Sequence, residues 1–227
     1  MLYTLNIAID DTGLNQINSN GQYVTVVKSL VTDPVGSGNL PIAWLTWSPF
    51  ENNTVTWQEI YSMYASTTVL QAGATISMSS HTPTPVQLGY MNTFQSGHFT
   101  SAQGGGASTF NLTNLGGGSY NFGLSQTATV NGVSVNAPLN AVAVGNNQQA
   151  TFTPQVTVSI FLSSYNNNGV VISQVASSAL VVTLNSQLPS ANIGFTDSNN
   201  TFYLLSQNSP TVALRADPAR RLKVVSA

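Results

Sequence analysis

Between Glu59 and Asp197 the chain contains no Asp, Glu, Lys or Arg. That stretch, Ile60 to Thr196, is more than half of the 227 residues. Its polarity comes from Ser, Thr, Asn and Gln, which alternate with apolar residues. Strict alternation puts one face of an extended segment against a core and the other toward water. The run therefore constrains the chain to β-structure.

The rest of the composition narrows this further. Charged residues are 5% of the chain, against about 25% in an ordinary globular domain. Disorder is excluded, because it needs low hydrophobicity with high net charge, and here 42% is apolar with a net charge of −2. No run approaches the roughly 18 apolar residues of a membrane helix, so no transmembrane segment is expected. Cysteine is absent, which removes disulfides and thiolate metal sites and leaves the compartment open. Met1-Leu2-Tyr3-Thr4-Leu5 enters an alternating strand without a basic region, so no signal peptide is expected.

The first strand is Leu2–Ile9, with Tyr3, Leu5, Ile7 and Ile9 on one face. Asp11 or Thr12 caps a short helix near residues 12–19, in which Leu14 and Ile17 share a side. Asn20-Gly21 turns into a Val-rich strand, Gln22–Thr32, ended by Asp33-Pro34 with Gly36 and Gly38. Pro41–Phe50 and Thr54–Ser66 read as a strand pair joined by Glu51-Asn52-Asn53, and Thr67–Ser79 as a further strand or pair. Asn131-Gly132 between Ala128–Val130 and Val133–Val135 is a two-residue hairpin. Gln155–Ser163 is the clearest strand, turning at Asn166–Gly169 into Val170–Leu184, and this hairpin is expected at the centre of a sheet. Thr201–Leu205 and Val212–Leu214 are the last strands. Strand-like segments recurring with turn chemistry between them predict an all-β chain, an antiparallel β-sandwich or jelly roll. The expected layout is one domain over 1–214 and a basic tail over 215–227.

Charge is unevenly placed. Up to Leu214, Lys28 stands alone against Asp10, Asp11, Asp33, Glu51, Glu59 and Asp197. Arg215, Arg220, Arg221 and Lys223 follow, with Asp217. An acidic body with a short basic tail is a poor nucleic-acid surface. The tail reads as an arm for a neighbouring copy, or as a frayed end.

Little in the chain suits catalysis. Glycoside hydrolysis needs two carboxyls roughly 5–10 Å apart, and most of the acids lie in turn or cap contexts. Glu59 alone alternates with aromatics, Trp57 and Tyr61, as a sugar ligand, a general acid or a solvated outer-face residue. His81 and His98 lie in loop contexts, with no Gly-x-Ser-x-Gly elbow and too few partners for a metal. Asp10-Asp11 lacks the spacing of a calcium loop. Gly104–Gly106 and Gly116–Gly118 lack the lysine of a phosphate cradle. No catalytic residue, cofactor or metal is expected.

What remains is an aromatic group: Trp44, Trp47, Trp57, Tyr61 and Tyr64. Some are core, and an exposed subset among Asn and Gln would suit a neutral glycan through stacking and hydrogen bonds. Trp47, Trp57, Glu59 and Tyr61 are the candidate ligand residues of a non-enzymatic, lectin-like protein. A self-assembling shell, appendage or inclusion subunit is the alternative, because uncharged strands lack the edge charges that block pairing. Its homo-oligomer would form through sheet edges or the tail. A β-type pore-forming or insecticidal toxin is the third, with the uncharged, Ser/Thr-rich Tyr64–Ser80 as the lining hairpin.

Overall fold

A computed structural model describes residues 1–33 and 40–207. The elements run β1 (Leu2–Ala8), α1 (Asp11–Ser19), β2 (Tyr23–Asp33), β3 (Ile42–Ala43), β4 (Leu45–Trp47), β5 (Asn52–Ser66), β6 (Ser80–His81), β7 (Tyr90–Gln95), β8 (His98–Gln103), β9 (Phe110–Asn114), β10 (Tyr120–Val130), β11 (Val133–Pro138), β12 (Val142–Val144), β13 (Gln148–Ser163), β14 (Val170–Val171), β15 (Leu180–Thr183), β16 (Ser190–Thr196) and β17 (Thr201–Gln207). The expected Val212–Leu214 strand, the Pro34–Gly38 break and the basic tail lie outside the described residues.

Two sheets share one apolar core. The first has the order β11-β10-β5-β1-β16-β17, with β12 also on β10 and β6 also on β5. The second has the order β4-β2-β13-β9-β7-β8, with β15 also on β13. Leu5, Ile7, Val55 and Phe122 of the first meet Val24, Val26, Leu112 and Phe152 of the second in a continuous buried cluster. This is the all-β sandwich with one short helix that the alternation predicts. The sheets are mixed, however: β1 pairs β16 and β7 pairs β9 in parallel.

The helix begins one residue earlier than expected. Asp10 is its N-cap, accepting from the Gly13 backbone N–H at 2.8 Å, so neither Asp11 nor Thr12 caps it. Ile17 is fully buried and Leu14 packs beside the core. The Asn131-Gly132 turn joins β10 to β11, with φ of 49° and 84°, the left-handed pair that a two-residue hairpin demands.

Three pairings differ from expectation. Residues 41–50 and β5 form no hairpin: β4 pairs β2 in one sheet, and β5 lies between β1 and β10 in the other. Pro49 cannot donate to a ladder, and the buried Asn53 side chain fastens the crossing. It accepts from Trp47 Nε1 at 3.0 Å and Phe50 N at 2.9 Å and donates to the Phe50 carbonyl at 2.6 Å. Thr67–Ser79 is no strand, since the Ser66 and Thr68 hydroxyls accept the backbone N–H groups of Thr68 and Ser77, an alternative to ladder bonding. Val170–Leu184 is broken, because the Ser173–Ser178 stretch interrupts its apolar pattern. β14 leaves to pair β3, and β15 returns to β13.

Candidate functional site

Lys28 is the sole Lys or Arg among the described residues, and only 2% of its surface is exposed. It shares the inward face of β2 with Val24 and Val26, so strand geometry carries its amine into the core. A bare ammonium there would be very unfavourable. Three acceptors meet it. Its Nζ donates to Glu59 Oε1 at 2.6 Å, Gln126 Oε1 at 2.8 Å and the Tyr61 hydroxyl at 3.1 Å. An ammonium has three protons, so the set is complete. The ring centroids of Trp44, Trp57 and Tyr61 lie 5.7, 5.7 and 5.0 Å from Nζ, within cation–π range.

Glu59 is held as closely. Trp57 Nε1–H donates to Oε1 at 2.9 Å, and the Tyr61 hydroxyl makes a short hydrogen bond to Oε2. The Gln126 amide donates to the Gln58 carbonyl at 2.7 Å, and Trp44 Nε1–H to the Gln126 carbonyl at 3.2 Å. Burial pushes the Lys28 amine down to about 8, against the opposing pull of Glu59. Burial, then the Glu59 charge, pushes the Tyr61 phenol well above its ordinary value.

Backbone irregularities shape this cluster. Gln126 pairs Tyr61 while Ala128 pairs Trp57, so Gln58, Glu59 and Ile60 together oppose Thr127. In the facing sheet β13 shifts register against β2 between Pro154 and Val158, the latter being the partner of Lys28. Bulges of this kind re-aim side chains. β1 gives out as a partner of β5 at Gln58, and the next neighbour on that side, Val86, bonds the Tyr61 carbonyl. Glu59 sits in that gap, and its side chain is 26% exposed.

The other face of β5 and β10 carries a groove of about 410 Å³. Thr56, Gln58, Ser62, Ser125, Thr127 and Asn136 give it hydroxyls and amides. Leu2, Ile60 and Pro85 give it apolar walls, and none of its lining residues is charged. Ser125 is 1% exposed, and its Oγ has no hydrogen-bond partner, an exception to the rule that buried polar atoms are paired.

The four residues singled out in the sequence are thus split. Trp57, Glu59 and Tyr61 come together, but facing the interior, with Trp57 and Tyr61 only 2% and 4% exposed. Glu59 is not on the solvated outer face. Trp47 lies in the other sheet, half-buried beside the core, its indole N–H given to Asn53. These rings offer no open stacking platform. Lys28 and Gln126 were not singled out. The signal for Lys28 was its place on the Val24–Val26 face; nothing local marks Gln126 among Ser125 and Thr127.

His81 and His98 are exposed, on strand ends rather than in loops. Among the described residues no group of three His, Cys, Asp or Glu could hold a metal, and no helix is long and apolar enough to cross a membrane. Of the Tyr64–Ser80 stretch, Tyr64–Ser66 belongs to β5 and Ser80 to β6, and between them Leu70, Ile76 and Met78 pack with Tyr64, Ile42, Ala141 and Val171. Compared with protein-family models, curated proteins and solved structures, the chain matches none.

Proposed function

We propose that the protein is a non-enzymatic, lectin-like binding protein that takes a neutral carbohydrate in the groove over β5 and β10. The observation that carries this reading is the buried, unpartnered Ser125 hydroxyl at the groove wall. A ligand bearing hydroxyls would satisfy it, and the uncharged lining favours a neutral one over an acidic sugar. The apolar walls of Leu2, Ile60 and Pro85 suit the C–H faces of a sugar ring. The candidate ligand residues shift accordingly, from the aromatic group to the outward side chains of β5 and β10.

The test is a glycan array with neutral and acidic sugars, followed by titration of the hits against wild type and Thr127→Arg. Thr127 is exposed on the groove wall, so the variant fills the groove without disturbing the core. Neutral hits that Thr127→Arg abolishes support the reading. An empty array, or binding indifferent to the substitution, sinks it.

One observation favours the self-assembling alternative. β4, β8, β11 and β17, at the ends of the two sheet orders, carry no charged side chain, and uncharged edges invite pairing between copies. Light scattering over a concentration series tests it, and a monomer throughout would remove it.

A further inference from the structure

We propose that Lys28 and Gln126 become joined by an intramolecular amide bond formed by the folded protein itself, tying the two sheets together through the core. Three groups needed for such a reaction are already assembled. The nucleophile is the Lys28 amine. The acyl donor is the Gln126 carboxamide, whose Oε1 is 2.8 Å from Nζ, with the carbonyl carbon one bond beyond. The proton carrier is Glu59, whose Oε1 is 2.6 Å from the same nitrogen. Gln126 is 1% exposed and Trp44, Trp57 and Tyr61 wall the amine. Reacting groups fixed side by side in this way gain large effective concentrations.

The step balances without any co-reactant. The neutral amine attacks Cδ of Gln126, forming the Nζ–Cδ bond, and the carbonyl electrons move onto Oε1. The Tyr61 hydroxyl, which donates to Glu59 Oε2 and accepts from Nζ, holds the proton carrier and the nucleophile together. Glu59 takes the proton from Nζ and delivers it to Nε2. The carbonyl re-forms, the Cδ–Nε2 bond breaks, and ammonia leaves. No atom is oxidised or reduced. With the amine pushed down to about 8, about one molecule in ten presents it neutral at pH 7. Gln126 is a better acyl donor than Glu59, because a carboxylate would have to expel oxide, whereas a carboxamide expels ammonia.

The sequence offers a clean test. Lys28 is the sole tryptic site before Arg215, and trypsin does not cut after an acylated lysine. Wild-type protein is fully denatured, digested with trypsin and mapped by mass spectrometry. The expected result is that residues 1–28 are not released, and that a second digest with chymotrypsin shows the Lys28 and Gln126 peptides joined with the loss of one ammonia. Ring closure at an Asn-Gly pair such as Asn131-Gly132 also loses ammonia but leaves Lys28 cleavable, so it is told apart. Gln126→Met and Glu59→Gln, each confirmed as folded by near-ultraviolet circular dichroism, are expected to release residues 1–28. Release of unmodified 1–28 from the wild type overturns the proposal. So does a link to Glu59 with the loss of one water.

Discussion

Replacing Gln126 by Met gives the sharpest test of how the core holds the buried amine of Lys28. Met fills a similar linear volume and leaves Lys28 with Glu59 and Tyr61 but without an acyl donor. In that chain the amine titrates freely. Unfolded, it holds its proton up to 10.5; folded, desolvation pulls that value down, to about 8 with Gln126 still in place. Between those values the unfolded chain binds more protons, so raising the pH favours the fold. The gap of about 2.5 units is worth about 3 kcal/mol, gained progressively as the pH rises from about 8. Wild type, with its amine in an amide, shows no such rise. It is also the more stable protein at neutral pH. Residues 28 and 126 are 98 apart in sequence, and closing a loop of that size is worth about 4–5 kcal/mol by analogy with a disulfide. Urea denaturation across this pH range, at constant ionic strength, measures both quantities. Parallel pH profiles for the two proteins would refute the covalent bond. A flat profile for Gln126→Met would refute the account of Lys28 as a desolvated amine.

Three further outcomes follow from packing and titration. Gly123→Ala would bring a Cβ within 2.0 Å of the Asn140 carbonyl oxygen, a rigid backbone contact, and is expected to cost about 3 kcal/mol in urea unfolding. Asn53→Ala strands the Trp47 indole N–H and the Phe50 N–H and is expected to cost about 3 kcal/mol, with a shift in tryptophan emission as the crossing between sheets loosens. Burial raises the Tyr61 and Tyr64 phenols far above 10, so the fold retains protons that the unfolded chain releases. Stability should fall as the pH rises beyond about 10, with phenolate absorbance from these two rings appearing only together with unfolding.

The uncharged alternating run was enough to read the fold class, because period-two patterning dictates strands whatever they pair with. Leu2–Ala8, the Val-rich β2 and the Asn131-Gly132 hairpin were legible for the same local reasons. Partner choice was not. β1 and β16 pair in parallel with Thr4 opposite Ser190, a contact set by the whole core and by no local signal. The Trp44–Trp57 edge contact, with ring centroids 5.6 Å apart, joins a residue of β5 to one in the break between β3 and β4, a meeting that no hairpin spacing predicts. At the site, Glu59 stood out through its aromatic neighbours, yet its direction depended on where its counter-charge lay. Lys28 supplies that charge from a strand in the facing sheet. Gln126 is placed by non-local strand pairing, with Tyr61 on one side and Ala137 on the other.

The two proposed sites sit on opposite faces of one strand pair, and this couples them. Gln126 points into the core from β10, while Ser125 and Thr127 on either side of it line the groove. A bond from Gln126 to Lys28 would anchor β10 to the second sheet at the point where the register with β5 shifts. A groove anchored in this way loses less freedom on binding, which favours affinity through preorganisation. The expected outcome is that Gln126→Met binds the same neutral sugars as wild type but more weakly, by up to about tenfold, or about 1.4 kcal/mol. Calorimetric titration should place the loss in the entropy of binding. Equal affinity in a variant shown by tryptic mapping to lack the bond would uncouple the two faces. A changed order of preference among sugars would mean that the substitution had reshaped the groove and not merely loosened it.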